Sequence, residues 1–299
     1  MRAIERAKVM SLVGGVLATL MGFSQPLFSR TTAATFLRIS PSVKERGMGM
    51  TGVSHAEGAG AGWWNPARLC FGKSQVRLGV LRWIADGRGS WGSAKLTFPH
   101  FGLGIYYFNL TTPGFEAREL PGPPEALFDL QQAYLAVSGA YKLGAQWAVG
   151  LSLKGYLEDI YGDRWTGFPI WDLGLSWEIG NWRWGGSVHN LGPDQRGYPL
   201  PTSFKTGVAR LFVRDKLRVL TATEAEFITT QFPIYNWGAE IGWEETLFLR
   251  GGLWGRIDLL QWVVGGGFQF RNWTLDLSYS PLDEILGSRL RVGVGFIWQ

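Results

Sequence analysis

A single cysteine, Cys70, in 299 residues excludes an intramolecular disulfide, and only three histidines are available to any metal or catalytic site. Charge is scarce as well: Asp, Glu, Lys and Arg make up 18% of the chain, where a soluble domain usually carries about 25%. Long apolar runs are almost missing. The one sustained run, residues 9–23, contains Ser11, Thr19 and three glycines, and it is shorter than the ~20 apolar residues that a spanning helix needs. Arg2, Arg6 and Lys8 precede it, and Ser24, Pro26 and Ser29 come after it. That layout predicts a secretory signal peptide over residues 1–29. No P-loop is present, no Cys/His metal spacing, and no GxGxxG that follows a strand and opens a helix, so neither a cofactor nor a metal is expected. The net charge of +5 comes from basic residues scattered singly, which argues against a nucleic-acid partner.

What the chain has instead is glycine and aromatics: 42 Gly, 16 Trp, 18 Phe and 9 Tyr. From residue 74 onward these are arranged in runs of about ten residues with period-two alternation, separated by turn residues, the pattern of strands and hairpins. Fourteen such runs are expected, over residues 74–84, 90–98, 101–110, 129–141, 145–158, 169–178, 182–190, 203–213, 216–227, 234–244, 246–254, 260–270, 272–280 and 288–298. Connections after even-numbered runs are short, such as Pro99-His100 and Arg214-Asp215. Those after odd-numbered runs are longer, notably residues 111–128, 159–168 and 191–202. Short turns at one end and long loops at the other are the habit of an up-and-down outer-membrane barrel, and an even strand count is expected to put both ends of the chain in the periplasm.

Alternation assigns the faces. In residues 171–179, Trp171, Leu173, Leu175, Trp177 and Ile179 oppose Asp172, Gly174, Ser176 and Glu178; in residues 273–279, Trp273, Leu275, Leu277 and Tyr279 oppose Thr274, Asp276 and Ser278. No helical text remains to cover the apolar face, so outer-membrane lipid is the expected wrapping, and closure of the sheet leaves no edge unpaired. The opposite face then lines a lumen, with Lys154, Asp172, Glu178, Glu240, Arg250, Asp276 and Arg291 as lining candidates and many glycines leaving room inside. The expected fold is all-β: a 14-stranded antiparallel transmembrane β-barrel over residues 73–299.

A barrel of this size has room for a plug, and residues 46–69, RGMGMTGVSHAEGAGAGWWNPARL, suit one. The stretch is glycine-rich, which frees the backbone to turn but raises the entropy lost on ordering, so it needs a container. RGMG (Arg46, Gly47, Met48, Gly49), a small-residue run with Glu57, and WNPA (Trp64, Asn65, Pro66, Ala67) resemble the N-terminal motif of PorV/PorQ and FadL-type outer-membrane barrels. Residues 170–193 and 200–210 are similar to strand text of the same family. The resemblance implies a lumenal plug, expected over residues 30–72. It also implies one of two roles: passage of hydrophobic small molecules such as fatty acids, or service as an accessory barrel of type IX secretion that binds cargo or partner proteins.

An enzyme is not expected. Of His55, His100 and His189, only His189 shares a strand face with a nucleophile, Ser187. Two positions on one strand fall short of the base, nucleophile and orienting group that a hydrolase requires. Lumenal carboxylates, Glu224 and Glu226 among them, read as ion-pair networks or plug anchors.

Overall fold

The computed structural model describes residues 31–118, 121–229, 231–281 and 288–298; the leader expected over residues 1–29 lies outside them. Fourteen strands form one closed sheet: β1 Ser74–Arg82, β2 Arg88–Thr97, β3 Phe101–Ala117, β4 Ala126–Lys142, β5 Trp147–Ile160, β6 Asp163–Ile179, β7 Trp182–Leu191, β8 Ser203–Arg214, β9 Leu217–Ile228, β10 Ile234–Trp243, β11 Leu247–Arg256, β12 Leu259–Phe270, β13 Trp273–Pro281 and β14 Ser288–Trp298. Each pairs antiparallel with its neighbours in sequence, and β1 closes on β14 from Ser74 opposite Trp298 to Arg82 opposite Leu290. Every strand therefore has two partners, which meets the demand that hydrocarbon places on backbone N–H and C=O groups.

The outward face is apolar along its length. Leu78, Leu249, Leu275, Leu277 and Val294 are exposed, whereas the alternate positions Thr274, Asp276, Ser278 and Ser280 of β13 are buried inside. Outward aromatics gather near the short turns, where Trp147 packs 5.9 Å from Trp177 and Trp273 lies 5.0 Å from Phe296. Others, including Trp262 and Tyr279, sit nearer the opposite ends of their strands. Two such girdles are what the two membrane interfaces favour.

Two of the expected long loops are strand. Residues 111–117 and 126–128 extend β3 and β4 into a projecting ribbon, in which Phe115 stacks on Phe128 at 5.6 Å. Pro113, which cannot donate to a ladder, reads as a loop, but a shift in register between Thr112 and Phe115 accommodates it. Residues 159–168, expected as the connection from β5 to β6, instead form a hairpin closed by Tyr161 and Gly162 alone, both at positive φ. Those are the dihedrals of a two-residue turn that continues the strand twist.

Residues 31–73 thread the lumen from end to end. Ala33 donates to the Pro199 carbonyl in the β7–β8 loop, and the Thr97 hydroxyl at the other end donates to the Leu69 carbonyl at 3.1 Å. The barrel begins and ends at the short-turn side, as an even strand count requires, yet the described chain enters at the long-loop side. The segment contains four short helical turns, Thr35–Arg38, Lys44–Gly47, Ala61–Trp64 and Pro66–Cys70, linked by irregular backbone.

The lipid-facing assignment has a direct check. Leu277, at the centre of β13, is 46% exposed, and Leu277→Arg is expected to destabilise the folded barrel by about 2–4 kcal/mol in a bilayer. Leu277→Ala should cost much less. Reversible urea unfolding in lipid vesicles measures both, and equal costs would mean that this face does not meet lipid.

Candidate functional site

The lumen is built from the plug outward. Asn65 precedes the turn Pro66–Cys70 in extended backbone, and its side-chain Oδ1 accepts from the Ala67 N–H at 3.0 Å while Pro66 occupies the position where no donor is needed. The Asn65 Nδ2 donates to the carbonyls of Val53 and Leu175, each at 2.9 Å, tying the turn to both plug and wall. Trp63 and Trp64 meet edge to face at 4.8 Å, and Trp64 is fully buried. The expected lumenal glycines do leave room, and the plug fills it: Gly238 faces the Met48 carbonyl, and Gly150 and Gly174 face Pro66 and Ala67, all too closely for a Cβ. Gly47 in turn lies against Gly265, and Gly49 takes a φ of 71° where it passes Trp237 and Leu253.

Wall side chains complete the plug's hydrogen bonding. The Glu224 carboxylate accepts from the N–H groups of Gly52 and Val53 at 2.8 and 3.0 Å. Asn236 donates to the Met50 carbonyl, Tyr134 to Ile39, and Arg291 to Ser40. Lys95 donates to the carbonyls of Glu57 and Phe71.

The lining candidates fall into three ion-pair groups. Near the short turns Glu57 sits 2.7 Å from Arg183 and 3.7 Å from Arg68, and Arg68 reaches Glu178 at 2.7 Å. At mid-lumen Arg250 contacts both Glu240 and Asp276 at 2.6 Å, Arg77 takes the other oxygen of Asp276 at 2.6 Å, and Lys44 of the plug adds to Glu240 at 3.3 Å. In the third group Lys154 pairs with Asp172 at 2.8 Å. Arg291 joins none of these, and Arg46 packs between Trp83 and Trp254. Sequence reasoning missed Arg68, Arg77, Arg183 and Lys95. Arg68 lies within residues 46–69, and its full burial beside an acid is a signal that only the structure supplies.

Ser187, His189 and Asp172 come together as well. Ser187 Oγ is 2.7 Å from His189 Nε2, and His189 Nδ1 is 3.4 Å from Asp172 Oδ2. The resemblance to a nucleophile–base–acid relay ends at access. Ser187 and His189 are 2% and 4% exposed, the Trp64 carbonyl lies 3.2 Å from the hydroxyl, and the Trp63 ring leans over the imidazole at 6.2 Å. A substrate carbonyl would need the space the plug holds, so this trio acts as a plug anchor. His55, buried within the plug, is held down at about 3 by burial and by Lys44 and Arg183, and stays neutral.

One side of the lumen is different in kind. The inward residues Tyr106 and Phe108 of β3, Tyr134 of β4 and Tyr156 of β5 form an aromatic chamber. The plug's Phe36 fills it, 6.4 Å from Tyr134 and edge-on to Tyr156 at 5.6 Å. Directly outside, a groove of about 480 Å³ opens on the lipid face, lined by Tyr107, Leu135, Val137, Leu153, Leu157 and Phe168. The two are separated by a single layer of backbone at a register shift, where pairing jumps from Lys154–Ile170 to Tyr156–Gly167 and leaves Gly155 out of the ladder.

No protein-family model matches the chain, and no curated protein does. Among solved structures it is similar to the toluene transporter TbuX of Ralstonia pickettii, at 13% identity and a TM-score of 0.63 over 85% of this chain and 97% of that one. It is likewise similar to the Pseudomonas putida toluene transporter TodX, at 14% and 0.60 over 84% and 96%, and to the CymD monoaromatic hydrocarbon channel, at 14% and 0.64 over 87% and 99%. At these identities the likeness is one of fold alone.

Glu57 gives the plug a pH dependence. Burial raises its pKa, but Arg183 and Arg68 outweigh burial and hold the carboxyl at about 2, below the ordinary 4.5. A depressed folded pKa contributes stability that is present above the unfolded value and lost as pH falls through the folded one. Glu57→Gln is expected to cost about 1–3 kcal/mol at neutral pH by leaving its buried arginine partners short of an acceptor. The difference between wild type and Glu57→Gln should hold from pH 7 to about 4.5 and close as pH approaches 2, as measured by urea unfolding at each pH. A constant difference down to pH 2 would contradict the assignment.

Proposed function

We propose that the barrel passes small hydrophobic molecules across the outer membrane. They enter from the long-loop end, occupy the aromatic chamber in place of Phe36, and leave through the register shift into the lipid outside. The observation that carries this reading is the back-to-back placement of chamber and groove across one layer of backbone. Register also shifts between β3 and β4 at Thr112–Phe115 and between β6 and β7 at Trp171–Leu173, whereas the ladders of β8, β9, β10 and β11 run without a shift. At Gly155 the missing rung lowers the cost of parting β5 from β6, and Pro169 opposite has no N–H to lose. An apolar solute gains nothing from the ion-pair groups, but burying it among aromatics stabilises it by roughly 25 cal/mol per Å² of apolar surface. The fold likeness to barrels described as toluene transporters and a monoaromatic hydrocarbon channel supports the same class of passenger.

Phe36 then acts as the stopper. It reaches the chamber from a four-residue turn held by few contacts, among them Arg38 on Glu226 at 3.4 Å and Tyr134 on the Ile39 carbonyl at 2.6 Å. A guest that takes its place need move only this part of the plug, while the anchors at Asn65 and Arg68 remain.

The test is toluene uptake by cells that produce the chain. Uptake above that of cells without the protein is expected, together with a fall of at least fivefold in Gly155→Trp, whose Cβ would meet the Phe168 ring at an ordinary contact distance of 3.4 Å and whose indole would fill the groove. Heat-modifiable migration on a gel reports that the variant still assembles. Uptake no greater than in cells without the protein would overturn the reading and favour the protein-docking role implied by the resemblance to PorV/PorQ.

A further inference from the structure

Three arginines that pair with no carboxylate among the described residues meet at the long-loop end of the lumen. Arg46 comes from the plug turn Lys44–Gly47, and Arg289 and Arg291 from the first residues of β14. All three guanidiniums lie near one indole, that of Trp83, at 5.6, 4.5 and 5.6 Å from its ring centre. Arg46 and Arg289 also lie 5.9 and 5.6 Å from Trp254. The elements are far apart in sequence, and the barrel closure of β1 on β14 brings Trp83 and β14 together.

The cluster breaks the rule the rest of the lumen obeys. Arg68 and Arg250 are equally buried, and each is matched by acids, Glu178 and Glu57 for one and Glu240 and Asp276 for the other. Arg46 and Arg291 are 3% and 0% exposed. Among the described residues no carboxylate forms an ion pair with them or with Arg289. Arg46 Nη1 has only the Met50 sulfur at 3.1 Å, a weak acceptor, and Arg291 Nη1 has the carbonyls of Ser40 and Ser42. Among the described residues, Arg46 Nη2, Arg289 Nε, and Arg291 Nε and Nη2 have no hydrogen-bond partner. Burial, Arg291 and Arg289 all push the Arg46 guanidinium down, the response of a cation held among cations. Buried donors without acceptors are costly and rare in native structures. Trp83, Trp254, Arg289 and Met50 are half-buried and form the rim of the cluster, while Arg46 and Arg291, both buried, form its floor.

We infer that this cluster is a binding site for an aromatic carboxylate at the entrance to the channel, its acid group taken by the unpartnered guanidinium N–H groups and its ring laid against the two indoles. Guanidinium donors suit a carboxylate because their fork matches its two oxygens. The flat indole faces, already bordered by guanidiniums, favour a flat apolar body over a flexible chain. The step after capture rests on the passage reading: the same ring moves down to Tyr106, Phe108 and Tyr134. The site adds to the neutral hydrocarbons a second class of passenger, molecules that carry one acid group on an aromatic ring.

The test is isothermal titration of the detergent-solubilised full chain with benzoate, benzyl alcohol, decanoate and inorganic phosphate. Benzoate is expected to bind saturably and at least tenfold more tightly than benzyl alcohol, which has the ring without the charge. Arg289→Gln, a change at the half-exposed rim, should weaken benzoate at least tenfold and leave benzyl alcohol unchanged; Arg289→Lys should restore part of the affinity. Equal binding of benzoate and benzyl alcohol, or an Arg289→Gln variant with unaltered benzoate affinity, would overturn the site. Tighter binding of phosphate would make it a general anion site, and tighter binding of decanoate a site for alkyl acids; either would overturn the aromatic assignment. Benzoate binding at the arginines in a protein that takes up no toluene would sink the passage reading and leave this site standing, so the two fail separately.

Discussion

An irregular backbone enclosed at membrane depth must have every N–H and C=O met from within, because neither water nor lipid can do it. That requirement ties the plug to the barrel wall. Glu224 accepts two plug N–H groups, Asn236, Tyr134 and Lys95 donate to plug carbonyls, and Asn65 donates back to the carbonyl of Leu175 in β6. Where no side chain intervenes, glycine on the wall lets backbone meet backbone, as at Gly238 against Met48. The inward halves of the strands are thus written for the plug as much as for the sheet. Their charges obey the same logic: Arg250, Glu240, Asp276 and Arg77 form one chain of contacts, and Lys44 brings the plug into it.

The wall makes the opposite demand on its other face, and the period of two lets one strand answer both. Leu275 and Leu277 face lipid while Asp276 faces Arg250. In β3 to β5 the inward Tyr106, Phe108, Tyr134 and Tyr156 are aromatic, so apolar surface stands there on both sides of a single backbone layer. This is where the plug offers Phe36 in place of an anchor and where the β5–β6 ladder skips Gly155. A weak rung lies here between two apolar spaces, beside the Lys154–Asp172 pair.

Much of this is legible in the sequence. Strand number, order and facing come from alternation that survives across fourteen runs, since a slip of one residue would turn every apolar side chain inward. The ends of β3 to β6 are not legible, because Pro113 and Gly162 read as loop while cross-strand pairing, with Phe115 on Phe128, overrides them. Residues 46–69 announce a contained, irregular segment through their glycine and the Asn65-Pro66 turn. Which wall residue each meets depends on register and on the path of the plug through the lumen, and neither leaves a local trace. Ser187 and His189 share a face on paper, but the Trp63 ring and the Trp64 carbonyl that close over them lie more than a hundred residues away. The arginine cluster draws on Arg46, Trp83, Trp254, Arg289 and Arg291, which only barrel closure assembles.

The plug fills a barrel whose own hydrogen bonds run from strand to strand without it, and the passage reading depends on that division of labour. Removal of residues 47–64 followed by single-channel recording in a planar bilayer tests this most directly. The deleted protein should still assemble as a heat-modifiable barrel and show stepwise conductance several times that of the intact chain. An assembled deletion variant whose conductance matches the intact protein would contradict it.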